Sequence, residues 1–246
     1  MSKMPELLFY ERPTVLNKDA HKSIRFSPVK DFGFTRNVNS VPLLSIEFFE
    51  ASRDLPVLFS QDKDGSYFPI VLLSLKNQGH DQVDDSGRWQ GNYTPAFIRR
   101  YPFVLSNDKN VCFDADYVGL AEADVEAAGE GEGDLLFADD GAYTDTLNKI
   151  IEFVTNFDAE HLRTREFCEA ASEAEVFKPF VLQVVTADQK PLRLDGLFVI
   201  DENKLMALED DVVTQWFRKG YLAWAYAHLH SLGAIQRLSE KLNTRL

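Results

Sequence analysis

Cysteine is scarce: Cys112 and Cys168 are the only two among 246 residues, and neither lies in a C-x-x-C pair. Two thiols build no disulfide framework, and a reducing compartment suits the chain best. Long apolar runs are also missing. Those at residues 69–73 and 180–185 fall far short of the roughly 20 residues a spanning helix needs. The first ten residues hold no continuous apolar stretch of a secretory leader. The expected location is therefore cytoplasmic. Basic charge is in deficit, with 26 Lys and Arg against 39 Asp and Glu and a net charge of −13. That sign disfavours phosphate backbones and anionic lipid, so neither nucleic acid nor a membrane surface is an expected partner. The deficit is uneven. Residues 1–40 hold seven basic and four acidic side chains, net +3, which leaves an N-terminal arm to lie against an acidic body or to stand solvated.

Familiar catalytic and ligand motifs are absent as well. There is no H-E-x-x-H, and His228 and His230, two apart on a helix, diverge by about 200°. Asp114-x-Asp116 followed by Gly119 hints at a calcium loop, but the twelfth position is Val125 where a bidentate Glu is needed. Gly129-Glu-Gly-Glu-Gly interleaves its glycines with carboxylates and lacks a following Gly-Lys-Ser/Thr, so it repels phosphate. No G-x-S-x-G elbow occurs. No catalytic residue, metal or cofactor is assigned. Acid–base roles for Asp195, Asp201, Glu202, Asp210 or Asp211 depend on position in space, which spacing alone does not give.

What the chain does have is enough length and apolar content for a core, with 45% hydrophobic residues and 19 Phe. Alternation at residues 24–28 suggests a short, edge-like strand. Residues 42–51 read as a short helix. Residues 56–60 and 67–75 read as two strands joined by the turn Asp62-Lys-Asp-Gly-Ser. Residues 101–105 and 111–116 read as a hairpin. Residues 144–171 carry a helical pattern, 178–185 and 191–200 are strands, and Asp195-Gly196 marks a bulge or turn. Asp201 caps a short helix. Helices follow from residue 210, broken at Gly220 and Gly233. Trp216, Tyr221, Trp224 and Tyr226 exceed what one core face needs, and some of them are expected to form an exposed aromatic patch or a groove suited to a partner. Strands, helix, strands, helices is not a βαβα alternation. The expected class is α+β: a mixed or antiparallel sheet packed with a long central helix and a C-terminal helical region. One domain, 1–246, is expected, with an arm at 1–40 and a flexible acidic loop at 120–134.

Residues 89–103 read Trp-Gln-Gly-Asn-Tyr-Thr-Pro-Ala-Phe-Ile-Arg-Arg-Tyr-Pro-Phe. Thr94 can cap a helix, Pro95 suits its first turn, and Pro102 disfavours helical geometry at Tyr101. The spacing predicts a helix of about two turns. Successive residues rotate by about 100°, so Arg99 and Arg100 diverge, one able to reach inward to a carboxylate while the other stays outside. Trp89, Tyr93, Arg99, Arg100 and Tyr101 are the candidate binding residues.

At this segment the chain resembles the bacterial SapC family, through its Trp, Tyr-x-Pro-Ala turn and Arg-Arg-Tyr-Pro-Phe. Val41-Pro42-Leu43 with Glu47-Phe48, Pro56-Val-Leu-Phe, Leu194-Asp-Gly-Leu-Phe-Val-Ile-Asp-Glu-Asn-Lys-Leu and Tyr226-Ala-His-Leu-His-Ser-Leu extend the likeness in order. The chain departs from it at His80-Asp-Gln-Val-Asp-Asp, where a more apolar stretch is expected. The resemblance implies an association with bacterial surface-layer formation, and with gene neighbours such as flavin-dependent halogenases and outer-membrane receptors. The expectation is an accessory or interaction protein of cell-surface or metabolite-handling systems, with a protein partner, of which a homo-oligomer is one form. Its rivals are a small-molecule binder or enzyme built around Arg99 and Arg100, and a surface-layer component.

Overall fold

The computed structural model of the protein describes residues 7–76, 78–122, 133–185 and 191–244. Strands β1 (Pro13–Val15), β2 (Ile24–Phe26) and β3 (Ser40–Pro42) precede helix α1 (Phe48–Ala51), and a 3-10 turn (Ser45–Glu47) leads into that helix. Next come β4 (Val57–Gln61), β5 (Tyr67–Leu72), the short helix α2 (Ala96–Arg99), β6 (Phe103–Leu105), β7 (Val111–Asp114), β8 (Leu120–Glu122) and β9 (Asp134–Leu135). The long helix α3 (Asp145–Glu173), β10 (Phe177–Val185) and β11 (Pro191–Ile200) lead to helices α4 (Glu202–Met206), α5 (Asp210–Lys219), α6 (Tyr221–Ser231) and α7 (Ala234–Thr244). The strand pairs among the described residues are antiparallel, and the class is α+β. The chain divides into two compact units.

The first unit holds residues up to Phe32 and Arg99–Ala159. Its two apolar runs at 103–105 and 111–114 close as the expected hairpin, with Phe103 opposite Phe113 and Leu105 opposite Val111. The loop is pinned by Ser106 N to Asn110 O at 2.8 Å. β1 adds to the far edge of β7, giving the order β1-β7-β6, and a second sheet runs β8-β2-β9. Two expectations change here. The alternation around Ile24 suggests an edge strand, yet β2 is central. Pro28, the reason for an edge, lies past the last strand residue, so its missing N–H never meets the ladder. The predicted arm supplies β1 and β2 to the two sheets. The predicted acidic loop begins and ends in strands β8 and β9, and its residues 123–132 lie outside the described residues. Ile24, Phe103, Phe113 and Leu136 pack with Leu147 and Val154 of α3 to form this unit's core.

The second unit holds Gly33–Ile98 and the chain from Glu160 onward. Its sheet runs β10-β11-β4-β5-β3. The β4–β5 turn uses Gly65 at φ 90°, open to glycine at no steric cost. Between β10 and β11, Phe180 faces Leu197 and Leu182 faces Leu194, so Asp195 and Gly196 together oppose Val181. This is the bulge expected at Asp195-Gly196, with Gly196 at φ 75°. Asp201 caps α4 by accepting from Asn203 N at 3.0 Å. Residues 42–51 are not one helix: β3 ends at Pro42, and the 3-10 turn and α1 follow. The apolar residues there are nearly continuous, and such a pattern does not separate strand from helix. The expected aromatic patch is also mostly inside. Trp216, Tyr221 and Trp224 are buried and ring Phe167 at centroid distances of 6.1, 5.4 and 5.6 Å. Of the four, only Tyr226 is exposed.

Candidate functional site

Arg99, Arg100 and Tyr101 lie where α2 gives way to β6. The helix is one turn, not two: it ends at Arg99, and Tyr101–Pro102 is a cis peptide bond. The two arginines diverge as their rotation requires. Arg99 is exposed, while Arg100 is the inward one, 6% exposed. The guanidinium of Arg99 lies 5.4 Å from the ring centroid of Phe153, and that of Arg100 lies 4.5 Å from Phe157. Phe153 and Phe157 are one turn apart on α3 and so share a face. Lys149 is one turn earlier on the same stripe. A cleft of about 200 Å³ opens among Arg99, Arg100, Tyr101, Lys149, Phe103 and Phe153.

Tyr101 is set by a carboxylate beneath it. Its hydroxyl donates to Asp114 Oδ2 at 3.0 Å. Asp114 also accepts from the backbone N–H groups of Arg12 (2.9 Å), Glu11 (3.1 Å) and Asp116 (3.3 Å). Burial works to raise the Asp114 pKa, but these hydrogen bonds outweigh it and hold the carboxyl below the usual range. Tyr10 packs edge-on against Tyr101, with centroids 5.4 Å apart, and donates to the Phe103 carbonyl at 2.7 Å. Burial pushes both phenols well above their ordinary value; the Arg100 charge opposes this at Tyr10, and the Asp114 charge adds to it at both. Both therefore stay protonated, as donors and not as bases. Asp114 is a structural anchor, and Asp116 pairs with Arg12 at 2.9 Å. Among the described residues, no three His, Cys, Asp or Glu side chains cluster to hold a metal ion.

Trp89 and Tyr93 belong to the second unit and serve a different centre. Trp89 Nε1 donates to Tyr93 O at 3.0 Å, and its ring meets His80 edge-on at 5.7 Å. A Cβ on Gly91 would stand 2.8 Å from Trp89 Nε1, so only glycine allows this closeness. Tyr93 donates its hydroxyl to Glu47 Oε1 at 2.5 Å, and the Ala96 N–H, at the start of α2, donates to the same oxygen at 2.7 Å. Glu47 Oε2 accepts from Leu44 N at 3.0 Å. Glu47 is buried and is the hub that residue patterns alone do not single out; its sole signal is its place in the Glu47-Phe48 pair. The five candidate residues thus divide: Arg99, Arg100 and Tyr101 share the cleft, and Trp89 and Tyr93 brace Glu47.

The buried histidines are fasteners too. His228 Nδ1 donates to Val57 O at 2.8 Å, and Nε2 accepts from Ile200 N at 3.1 Å. Burial pulls its pKa down to about 4, so the ring is neutral. His80 accepts from Gln82 N at Nδ1 and meets Thr35 Oγ1 at Nε2; burial lowers its pKa as well. Although the segment around His80 is polar in sequence, His80, Gln82 and Val83 are buried. No helix among the described residues is long and apolar enough to cross a membrane.

No curated protein and no solved structure shows significant similarity to the chain. The family model described as SapC matches residues 16–238, which takes in the Arg-Arg-Tyr-Pro-Phe segment, Glu47 and the His228 clasp. The chain belongs to the SapC family.

Proposed function

We propose that this chain is a non-enzymatic accessory protein of bacterial cell-surface or metabolite-handling systems, acting by contact with a protein partner. The observation that supports it best is apolar exposure on the helices of the second unit. Phe217, Met206 and Phe49 are 76%, 65% and 53% exposed. α1 and α5, which carry Phe49 and Phe217, both pack on α6. Large apolar side chains left exposed on helices that share a packing neighbour, as Phe49 and Phe217 are, gain from being covered. The buried ionisable groups point the same way, since Asp114, Glu47 and His228 serve backbone and hydroxyl partners instead of a reaction. Action in the cytoplasm is supported by the two buried, unbridged thiols. Affinity capture from native lysate followed by crosslinking tests the proposal. A reproducible partner crosslinked near α5, and lost with Phe217→Asp, is the expected result. Recovery of nothing beyond a bead-only control removes the proposal.

A second reading, a small-molecule binder, is favoured by the cleft at Arg99, Arg100 and Lys149.

A further inference from the structure

The five-stranded sheet of the second unit has two unlike edges. β3, at one end, has three residues and closes on Pro42, which carries no N–H. A short edge with a proline is a poor template for another strand. β10, at the other end, runs for nine residues, Phe177–Val185.

Hydrogen bonds at its start fix which groups of β10 face outward. Asp201 N donates to Val176 O at 2.7 Å, while Ile200 N turns the other way, to His228. Even-numbered residues of β10 therefore bond to β11, and the N–H and C=O groups of odd-numbered ones point away from the sheet. The bulge lies on β11, so the alternation along β10 is unbroken. Pro179 fits this, since at an outward position its missing N–H takes nothing from the ladder. Beyond it, Val181 and Gln183 present their backbone groups outward, and these groups have no other backbone partner among the described residues. Val181 is also 45% exposed.

Natural sheets blunt such edges with charges, prolines or a bulge in the edge strand itself. Past Pro179 this edge has none of these. Residues 179–185 carry no charge, and the one charge of the strand, Lys178, pairs with Asp201 at 3.4 Å.

We propose that β10 pairs with β10 of a second copy of this chain, antiparallel about a two-fold axis near Leu182, the midpoint of the uncharged run. Val181 then lies opposite Gln183 of the partner subunit, and no like charges meet across the seam. With β3 so poor a template, like edges join and association stops at two copies. The surface is separate from the exposed residues of α1 and α5.

Sedimentation equilibrium of the full chain tests this. A monomer–dimer equilibrium with a dissociation constant in about the micromolar range is expected. Hydrogen exchange at the Val181 and Gln183 amides slows as concentration rises, while the Phe180 and Leu182 amides face β11 and keep their rates. Val181→Pro removes an outward N–H only and is expected to weaken the dimer about tenfold or more. Val181→Lys, which sets a charge beside the axis in each copy, serves if the proline variant does not fold by far-UV circular dichroism. Val118→Lys, at a valine of the first unit that is 95% exposed, leaves the dimer unaltered. A chain that stays monomeric up to about 100 μM overturns the proposal. So does a dimer that both Val181 variants leave intact, or open-ended association in place of a dimer.

Discussion

Replacing Glu47 with alanine leaves the Leu44 and Ala96 N–H groups and the Tyr93 hydroxyl without their acceptor in a buried setting. An unsatisfied buried donor costs about 1–3 kcal/mol, so Glu47→Ala is expected to destabilise the second unit by about 3 kcal/mol or more, and Tyr93→Phe by about 1 kcal/mol. Urea unfolding midpoints check both, and a Glu47→Ala loss no larger than that of Tyr93→Phe removes the hub role. His228 sets a pH dependence. Its folded pKa of about 4 lies below the ordinary 6.5, so between those values the unfolded chain binds the proton and the folded chain does not. Stability is therefore full above 6.5 and falls as pH drops towards 4, by about 3 kcal/mol in total. Unfolding midpoints measured from pH 7 to 4.5 should show this slope in the wild type and a flatter one in His228→Gln. Asp114, with its pKa lowered, adds to the acid sensitivity below the ordinary carboxylate range. Residue roles of this kind were the least legible from sequence. Glu47 reaches a helix start 49 positions away, and capping signatures describe only neighbours within a turn.

Elements were more legible, because their signals are local. The hairpin at 103–114, the β4–β5 turn, the bulge at Gly196 and the breaks at Gly220 and Gly233 follow from alternation and from the turn preferences of glycine and proline. Misreadings arose where the local pattern was ambiguous. α2 was expected to have two turns because Pro102 marks an outer limit, yet the helix stops at Arg99, and Arg100 N-terminal to the cis bond already belongs to the turn. The Gly196 bulge is testable. A Cβ there meets nothing within 4 Å, so the only penalty is the left-handed backbone. Gly196→Ala is expected to cost about 1–2 kcal/mol and Gly196→Asn less, read from thermal midpoints; equal stability of all three would remove the strain argument. The stripe Lys149, Phe153, Phe157 on α3 shows why the arginine cleft escaped a reading of residues 89–103 alone. Half of it comes from a helix some fifty positions later, whose period is visible but whose facing partner is not.

At the scale of the molecule, the order of strands and helices anticipated the α+β class, and the family match spans residues of both units. The division of the chain was not visible, because each unit is assembled from two separate stretches and no linker composition marks the crossings. The three tryptophans fall on one side of that division: Trp89, Trp216 and Trp224 are all in the second unit, and the first contains none. Trp216 and Trp224 are buried around Phe167, and Trp224 stacks with Tyr221 at 5.6 Å. Excitation near 295 nm, where tyrosine is dark, therefore gives an optical signal confined to one unit without any label, while the first unit answers only through tyrosines such as Tyr10, Tyr101 and Tyr117.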